Sequence, residues 1–218
     1  MQQPPEQLTP PYSAIPAFPL TFAVEYPDRP LNRLSTALRF LWIIPIGIIA
    51  SLVGSGQISL EGNDYSWSWA VGGMLVLPVV LMILFRQKYP RWWFDWNLNL
   101  TKFLVRVGTY AQLLRDEYPS TDEEQAAFVD FPYPDALRLN RWLPLVKWFL
   151  AIPHWIILAF LWLGVLVCVI IAWFAILFTG RYPLALFMYV VGVNRWSLRV
   201  YAYALLLVTD QYPPFSLD

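Results

Sequence analysis

The chain has 218 residues, of which 58% are hydrophobic and only 14% are charged, and its formal net charge is zero. A soluble domain of this length needs fewer apolar residues for its core, so the composition predicts a membrane protein. The balanced charge gives no attraction for nucleic acid. The single cysteine, Cys168, excludes a disulfide framework within the chain.

The first half is predicted to contain a membrane hairpin. Residues 1–19 carry six prolines and no apolar stretch behind a basic start, which is typical of a disordered tail and not of a signal peptide. Within a first repeat at 20–119, the stretches 40–57 and 65–85 are uncharged and close to the ~20 residues that cross a hydrocarbon core. They predict spans at about 38–57 and 65–85. The polar segment between them, with Glu61 and Asp64, is the expected outer turn.

The second repeat, expected at 131–218, contains one uncharged stretch of 33 residues at 148–180. This length is long for one helix and short for two, so a tight hairpin over about 145–180 that turns near Gly164 competes with one strongly tilted helix. Lys147 and Arg181 flank the stretch, and the positive-inside rule places both on the cytoplasmic side. This favours the hairpin, and a re-entrant pair that does not fully cross is the remaining alternative. The prediction is a multi-pass protein with both termini in the cytoplasm.

An amphipathic helix is predicted after each hairpin, at about 92–114 and 184–208. Lys102 and Arg106 in the first, and Arg195 and Arg199 in the second, are spaced four apart and therefore share a helix face. Two cations in a hydrocarbon core are costly, at ~2.5 kcal/mol or more each, so we expect both helices to lie in the cytoplasmic interface. The cations would then bind anionic lipid or a protein partner, and ordinary surface anchoring is the plainer interpretation. The acidic segment 120–130 is interpreted as a solvated linker between the repeats.

Two patterns relate the halves of the chain. Asn32 and Arg39 precede Asn140 and Lys147 by 108 positions each, which indicates two tandem copies. The dipeptide Tyr-Pro also recurs at segment boundaries. Proline stops the preceding helix, and tyrosine places its hydroxyl at the headgroups, so these tyrosines are predicted interface anchors. They are Tyr26, Tyr89, Tyr118, Tyr133, Tyr182 and Tyr212.

Four segments resemble a bacterial membrane family known as domain of unknown function four-three-eight-nine: FAVEYPDRPLNRL, FLAIPHWIILAFLWLG, VIIAWFAILFTGRYP and NRWSLRVYAYALLLVTDQYPPFSL. The resemblance extends over roughly residues 18–217 and is closer in the second copy. In the first copy Ile46 replaces the histidine and the outer loop is longer. The resemblance implies an integral or tightly associated membrane protein. It supplies no activity and no catalytic residue.

The residues themselves predict no enzyme. One histidine and one cysteine exclude thiolate or all-histidine metal clusters within the chain, and hydrolase and phosphate-loop motifs are absent. No cofactor is expected, although His154 beside Trp155 could ligate a haem or a chlorophyll-type pigment; a structural hydrogen bond is the plainer role. The sequence therefore predicts an all-α membrane protein that acts as a structural or accessory subunit or organises lipid, in contact with other subunits or further copies of itself. A pigment- or haem-binding subunit is the alternative, and a transporter or membrane enzyme is third.

Overall fold

A computed structural model describes residues 18–58, 67–120 and 125–218. The predicted disordered tail falls almost entirely outside these residues, as do four residues of the predicted acidic linker. The described fold is mostly helical, and it also contains four short strands that the all-α prediction missed. The elements are β1 (Thr21–Val24), α1 (Arg33–Gly54), β2 (Ser55–Ile58), β3 (Trp67–Ala70), α2 (Val71–Arg86), α3 (Arg91–Ala111), β4 (Ala127–Asp130), α4 (Leu143–Thr179) and α5 (Leu184–Ala204).

The longest element, α4, is one continuous helix of 37 residues, about 55 Å long at ~1.5 Å per residue. The predicted hairpin over 145–180 with a turn near Gly164 is therefore wrong. Gly164 is flanked only by helix-compatible apolar residues, and a turn there would leave backbone groups unpaired. Its lack of a side chain serves packing instead, since a Cβ at this position would collide with the hydroxyl of Tyr189 on α5. The helix ends at Gly180, whose φ of 76° is the left-handed conformation that glycine adopts most easily.

Helices α1 and α2 lie along α4 one after the other, and not side by side as the predicted hairpin at 38–57 and 65–85 requires. At one end, Trp173 Nε1 donates to the carbonyl of Thr36 at 3.1 Å. At the other end, Arg141 donates to Oε1 of Gln87 at 2.6 Å. These contacts lie about 48 Å apart along α4, close to the summed lengths of α1 and α2, which are about 33 Å and 24 Å. The two helices therefore form an interrupted rod antiparallel to α4, and the hairpin prediction is wrong here too.

The interruption is a small antiparallel sheet in which β2 pairs with β3, Ser55 opposite Ala70. A second antiparallel pair, β1 with β4, joins the two halves of the chain, with Phe22 opposite Val129. Since these strands are separated by more than one hundred residues, only the folded arrangement of the halves reveals the pairing.

Helix α5 lies at the centre of the protein, and α3 packs against α1 and β4. Along α5, residues on several faces are buried, among them Val190, Val193 and Tyr203. It packs against α4 and β1, and two contiguous apolar clusters surround it. The described helix is thus a core element rather than the surface helix expected at 184–208. Helix α3 buries Trp93, Phe103 and other residues and exposes Trp92.

Candidate functional site

The most distinctive surface is the exposed apolar side of the long helices. Two stretches, Arg33–Ala50 and Leu143–Thr179, are long and apolar enough to cross a membrane, and only 17% of the apolar 18-residue segment in each is buried. The core helix of a soluble protein can be equally long and apolar, but such a helix is mostly buried. We call one row of α4 residues the outer face of α4. It consists of Phe149, Ile156, Phe160, Leu163, Val167, Ile171, Phe174 and Phe178, which are all exposed.

Helix α4 touches the rest of the protein along one narrow seam. The buried positions recur at intervals of three, four or seven residues from Pro144 to Ile176, so they form one line along the helix that faces α5 and its neighbours. Half-buried residues such as Leu161, Val169 and Trp173 border this line, and most of the other side chains are apolar and exposed. A helix that is hydrophobic all round is normally enclosed by protein or by lipid, and protein covers only part of α4.

A charged anchor holds the start of α1. The Arg39 guanidinium is buried and donates to the carbonyls of Tyr110 at 3.1 Å and Arg115 at 2.9 Å. It also forms an ion pair with Asp116 and lies over the Tyr110 ring, 4.4 Å from its centroid. The second oxygen of Asp116 accepts the backbone N–H of Asn32 at 2.6 Å. These contacts fasten α1 to the segment that follows α3.

The start of α4 has the same anchor. Lys147 is fully buried, donates to the carbonyl of Thr209 at 2.7 Å and pairs with Asp210 at 2.8 Å. Its ammonium lies 5.0 Å from the centroid of the Tyr203 ring, and Asp210 accepts the N–H of Asn140 at 2.6 Å. The sequence aligned Arg39 with Lys147 but missed the acids. The available signal was that both acids stand two positions before a Tyr-Pro dipeptide.

Three of the four cations predicted to bind lipid donate hydrogen bonds to the protein's own backbone carbonyls. Arg106 donates to the carbonyl of Ser120 at 2.7 Å, Arg195 to that of Leu217 at 3.3 Å and Arg199 to that of Ser216 at 3.3 Å. Burial, and next the charge of Arg195, lower the pKa of the Arg199 guanidinium, and the charge of Asp218 opposes this effect. Lys102 is half-buried and makes no hydrogen bond or ion pair in the described part of the chain. Lipid binding by the four residues stays a prediction.

The C-terminal tail is tightly seated on α5 beside Gly192, and this leads to a prediction. A Cβ at Gly192 would lie 2.9 Å from both Cβ and the carbonyl oxygen of Leu217. We expect Gly192→Ala to displace the tail and to lower the free energy of unfolding by about 1–3 kcal/mol, since overpacking a filled site forces backbone shifts. Limited proteolysis in detergent, read by mass spectrometry, should show faster loss of the C-terminal residues.

Gly108 on α3 provides the matched control. A Cβ there would have only the Gln112 side chain within reach, at 4.0 Å. Because alanine is the better helix former, Gly108→Ala should leave the stability unchanged or raise it. Equal tail protection in the two variants would contradict the role assigned to Gly192.

His154, the predicted ligand for a pigment or haem, is fully buried in α4. Its Nδ1 accepts a hydrogen bond from Trp196 Nε1 at 3.1 Å, and its ring stacks on Phe215 with centroids 4.1 Å apart. An indole N–H can only donate, so the proton of the neutral imidazole resides on Nε2. A protonated Nε2 has no lone pair for a metal, and it has no hydrogen-bond partner among the described residues. The geometry therefore suits packing better than ligation.

The predicted anchor tyrosines connect the two halves. The hydroxyl of Tyr26 donates to the carbonyl of Tyr182 at 2.5 Å, and that of Tyr133 donates to the carbonyl of Tyr89. Burial raises the pKa of the Tyr89 hydroxyl well above its ordinary value, and this hydroxyl donates to the carbonyl of Leu206 at 2.7 Å. Tyr118 and Tyr212 are exposed. Their predicted position at a lipid headgroup layer stays a prediction.

A cavity of 590 Å³ lies between α3, α4 and α5. Apolar side chains, including Trp155 and Trp162, form most of its wall. Its polar residues are satisfied within the protein: Asn194 and Gln112 bond to each other through both amides, and Ser197 accepts from Trp162 Nε1 at 3.1 Å. In the described part of the chain, no group of three or more potential metal ligands occurs. The cavity thus offers space for an apolar molecule.

Taken together, the fold and the surface define a helical protein with two candidate membrane helices and a buried set of structural charges. Comparison with known families then finds a match for part of the chain. Residues 142–216, from the start of α4 into the C-terminal tail, match the family model described as "Domain of unknown function (DUF4389)". This confirms the family resemblance for that segment. No curated protein and no solved structure matches the chain.

Proposed function

We propose that the protein is a non-enzymatic component of a bacterial plasma membrane, which stabilises or assembles a larger membrane complex or organises the lipid around it. The observation that carries this proposal is the exposed apolar surface along α1 and α4. On α4 the large exposed side chains continue from Leu145 to Phe178 without a charge beyond Lys147. A monomer in water rarely exposes a continuous apolar patch of this extent.

The use of the buried charges supports a structural role. Arg39 and Lys147 each form an ion pair with an acid and donate hydrogen bonds to backbone carbonyls of the same chain. A transport pathway normally needs ionisable or polar groups inside the spanning segments, and beyond Lys147 the side chains of α4 are apolar except for His154 and the terminal Thr179. The tautomer of His154 disfavours the pigment- or haem-binding alternative.

We further propose that the two halves are tandem copies of one unit. The two anchors use corresponding residues, Arg39 with Asp116 and Lys147 with Asp210. The bonds from Tyr26 to Tyr182 and from Tyr133 to Tyr89 are reciprocal. Phe22 and Val129, which are paired between β1 and β4, are 107 positions apart, as are Tyr26 and Tyr133. A duplication would explain each recurrence. The interrupted rod of α1 and α2 would then correspond to a second, continuous rod formed by α4, and the β2–β3 insertion would interrupt only the first.

The proposal is tested by extraction from native membranes in a mild detergent, followed by native mass spectrometry and visible absorption. The expected result is a colourless chain that co-purifies with other membrane proteins, with further copies of itself or with stoichiometric lipid. A lone chain without bound lipid would overturn the structural role. A visible absorption band would replace it with the pigment-binding alternative.

A further inference from the structure

The length of α4 conflicts with an ordinary membrane crossing. Its uncharged stretch, 148–180, would extend about 50 Å as a helix, whereas a hydrocarbon core is ~30 Å thick. To fit, the helix would have to tilt by about 50°, beyond the 0–40° found for spanning helices. A helix that lies parallel to the membrane plane has no such limit on its length.

The interrupted rod of α1 and α2 is even less compatible with crossing the membrane than α4 is. Because α1 and α2 follow one another along α4, the β2–β3 pair lies near the middle of the rod. A two-stranded sheet has two outer edges whose backbone groups have no partner strand. If the rod crossed the bilayer, these edges would lie near the midplane, where each unpaired backbone group costs several kcal/mol. A rod parallel to the surface allows the strand pair to reach water.

Both ends of the rods are basic. Arg33 and Arg181 flank the contact where Leu31 N donates to the carbonyl of Gly180 at 2.8 Å. Arg86 and Lys88 flank the opposite end, where Arg141 meets Gln87. These four side chains are exposed and make no hydrogen bond or ion pair within the described ranges. Free cations at both ends suit anionic headgroups on one side of a membrane, and a crossing would place one of these groups on the outer side, against the positive-inside rule.

We propose that the protein is monotopic: both rods lie within one leaflet, parallel to the membrane plane, with acyl chains against the outer face of α4 and anionic headgroups at both basic ends. This inference rests on the proposed membrane location. A 500 Å³ groove between α1 and α4, with Phe40, Leu166 and Ile170 in its apolar wall, would be filled by an acyl chain. The arrangement keeps both ends of α4 on one side without the hairpin that the sequence suggested.

The topology is tested with single cysteines placed at Leu137, Arg181 and Gly62 in a Cys168→Ser background. Leu137 is 76% exposed just before α4, Arg181 follows α4, and Gly62 lies between β2 and β3. Each variant is treated with a membrane-impermeant maleimide in spheroplasts and in inverted vesicles. The expected result is that all three react at least 10-fold faster in inverted vesicles than in spheroplasts.

Two patterns would overturn the inference. Opposite sidedness of Leu137→Cys and Arg181→Cys would show that α4 crosses the bilayer. Exposure of Gly62→Cys on the outer side, with the other two inside, would show a transmembrane hairpin. The membrane location itself is checked first, by alkaline carbonate extraction of the Cys168→Ser parent. Release at that step would count against the proposed function, whereas the labelling pattern of a retained protein decides the topology alone.

Discussion

Replacing Lys147 with methionine is expected to lower the free energy of unfolding by about 3 kcal/mol or more. Methionine keeps most of the length of the side chain and removes its charge. The carbonyl of Thr209 and the carboxylate of Asp210 would then lose their partner inside the protein. Breaking a buried ion pair on one side is costly because the remaining charge is left uncompensated.

The effect can be measured by denaturant titration in mixed micelles with tryptophan fluorescence. Arg138 provides the matched control, since its pair with Asp135 is 88% and 55% exposed. Exposed pairs contribute at most about 1 kcal/mol, so Arg138→Met should be nearly neutral. Arg39→Met should resemble Lys147→Met, because Arg39 has the corresponding partners. Equal stability of Lys147→Met and Arg138→Met would contradict the anchor role.

The second large effect is expected on the outer face of α4. Phe160, Leu163 and Val167 are 69%, 61% and 54% exposed and lie near the middle of the helix. If acyl chains cover them, changing all three to aspartate should remove the protein from the membrane fraction. Each carboxylate costs ~2.5 kcal/mol or more in the hydrocarbon, and the short aspartate side chain cannot reach the headgroups.

The same three residues changed to alanine form the control. This variant loses apolar area without gaining charge, and it should remain membrane-bound at a level close to that of the parent. If the outer face met water, the aspartate variant would instead be as stable as the parent and more soluble. The amount of each variant in pelleted membranes, measured by quantitative blotting, separates the two cases.

The sequence predicted the helices better than their arrangement. Composition and the uncharged stretches indicated long apolar helices, and α3 and α5 begin close to the predicted starts at 92 and 184. The hairpin at 145–180 was wrong because the lone Gly164 was interpreted as a turn, and the hairpin at 38–57 and 65–85 was wrong because an antiparallel strand pair separates α1 from α2. The residues around Glu61, the predicted outer turn, lie outside the described part of the chain. Gly164 instead makes room for the Tyr189 hydroxyl, a contact between residues on different helices that local pattern cannot reveal.

The buried cations show the same limit, namely that the sequence pattern does not reveal partners far along the chain. Spacing placed Arg195 and Arg199 on one helix face, but only the fold shows that the C-terminal tail provides carbonyls for both. The alignment of Arg39 with Lys147 was visible in the sequence. Their acids lie 77 and 63 residues further along the chain, and long-range ion pairs of this kind depend on tertiary packing.

The central claim is that lipid covers the exposed apolar rods. The most direct measurement is alkaline carbonate extraction of the unmodified chain, with the protein in the pellet and in the supernatant quantified after centrifugation. The predicted result is that essentially all of the protein stays with the membranes and is released only by detergent. Recovery as a soluble, monodisperse species without detergent would contradict the claim, because the outer face of α4 would then be in contact with water.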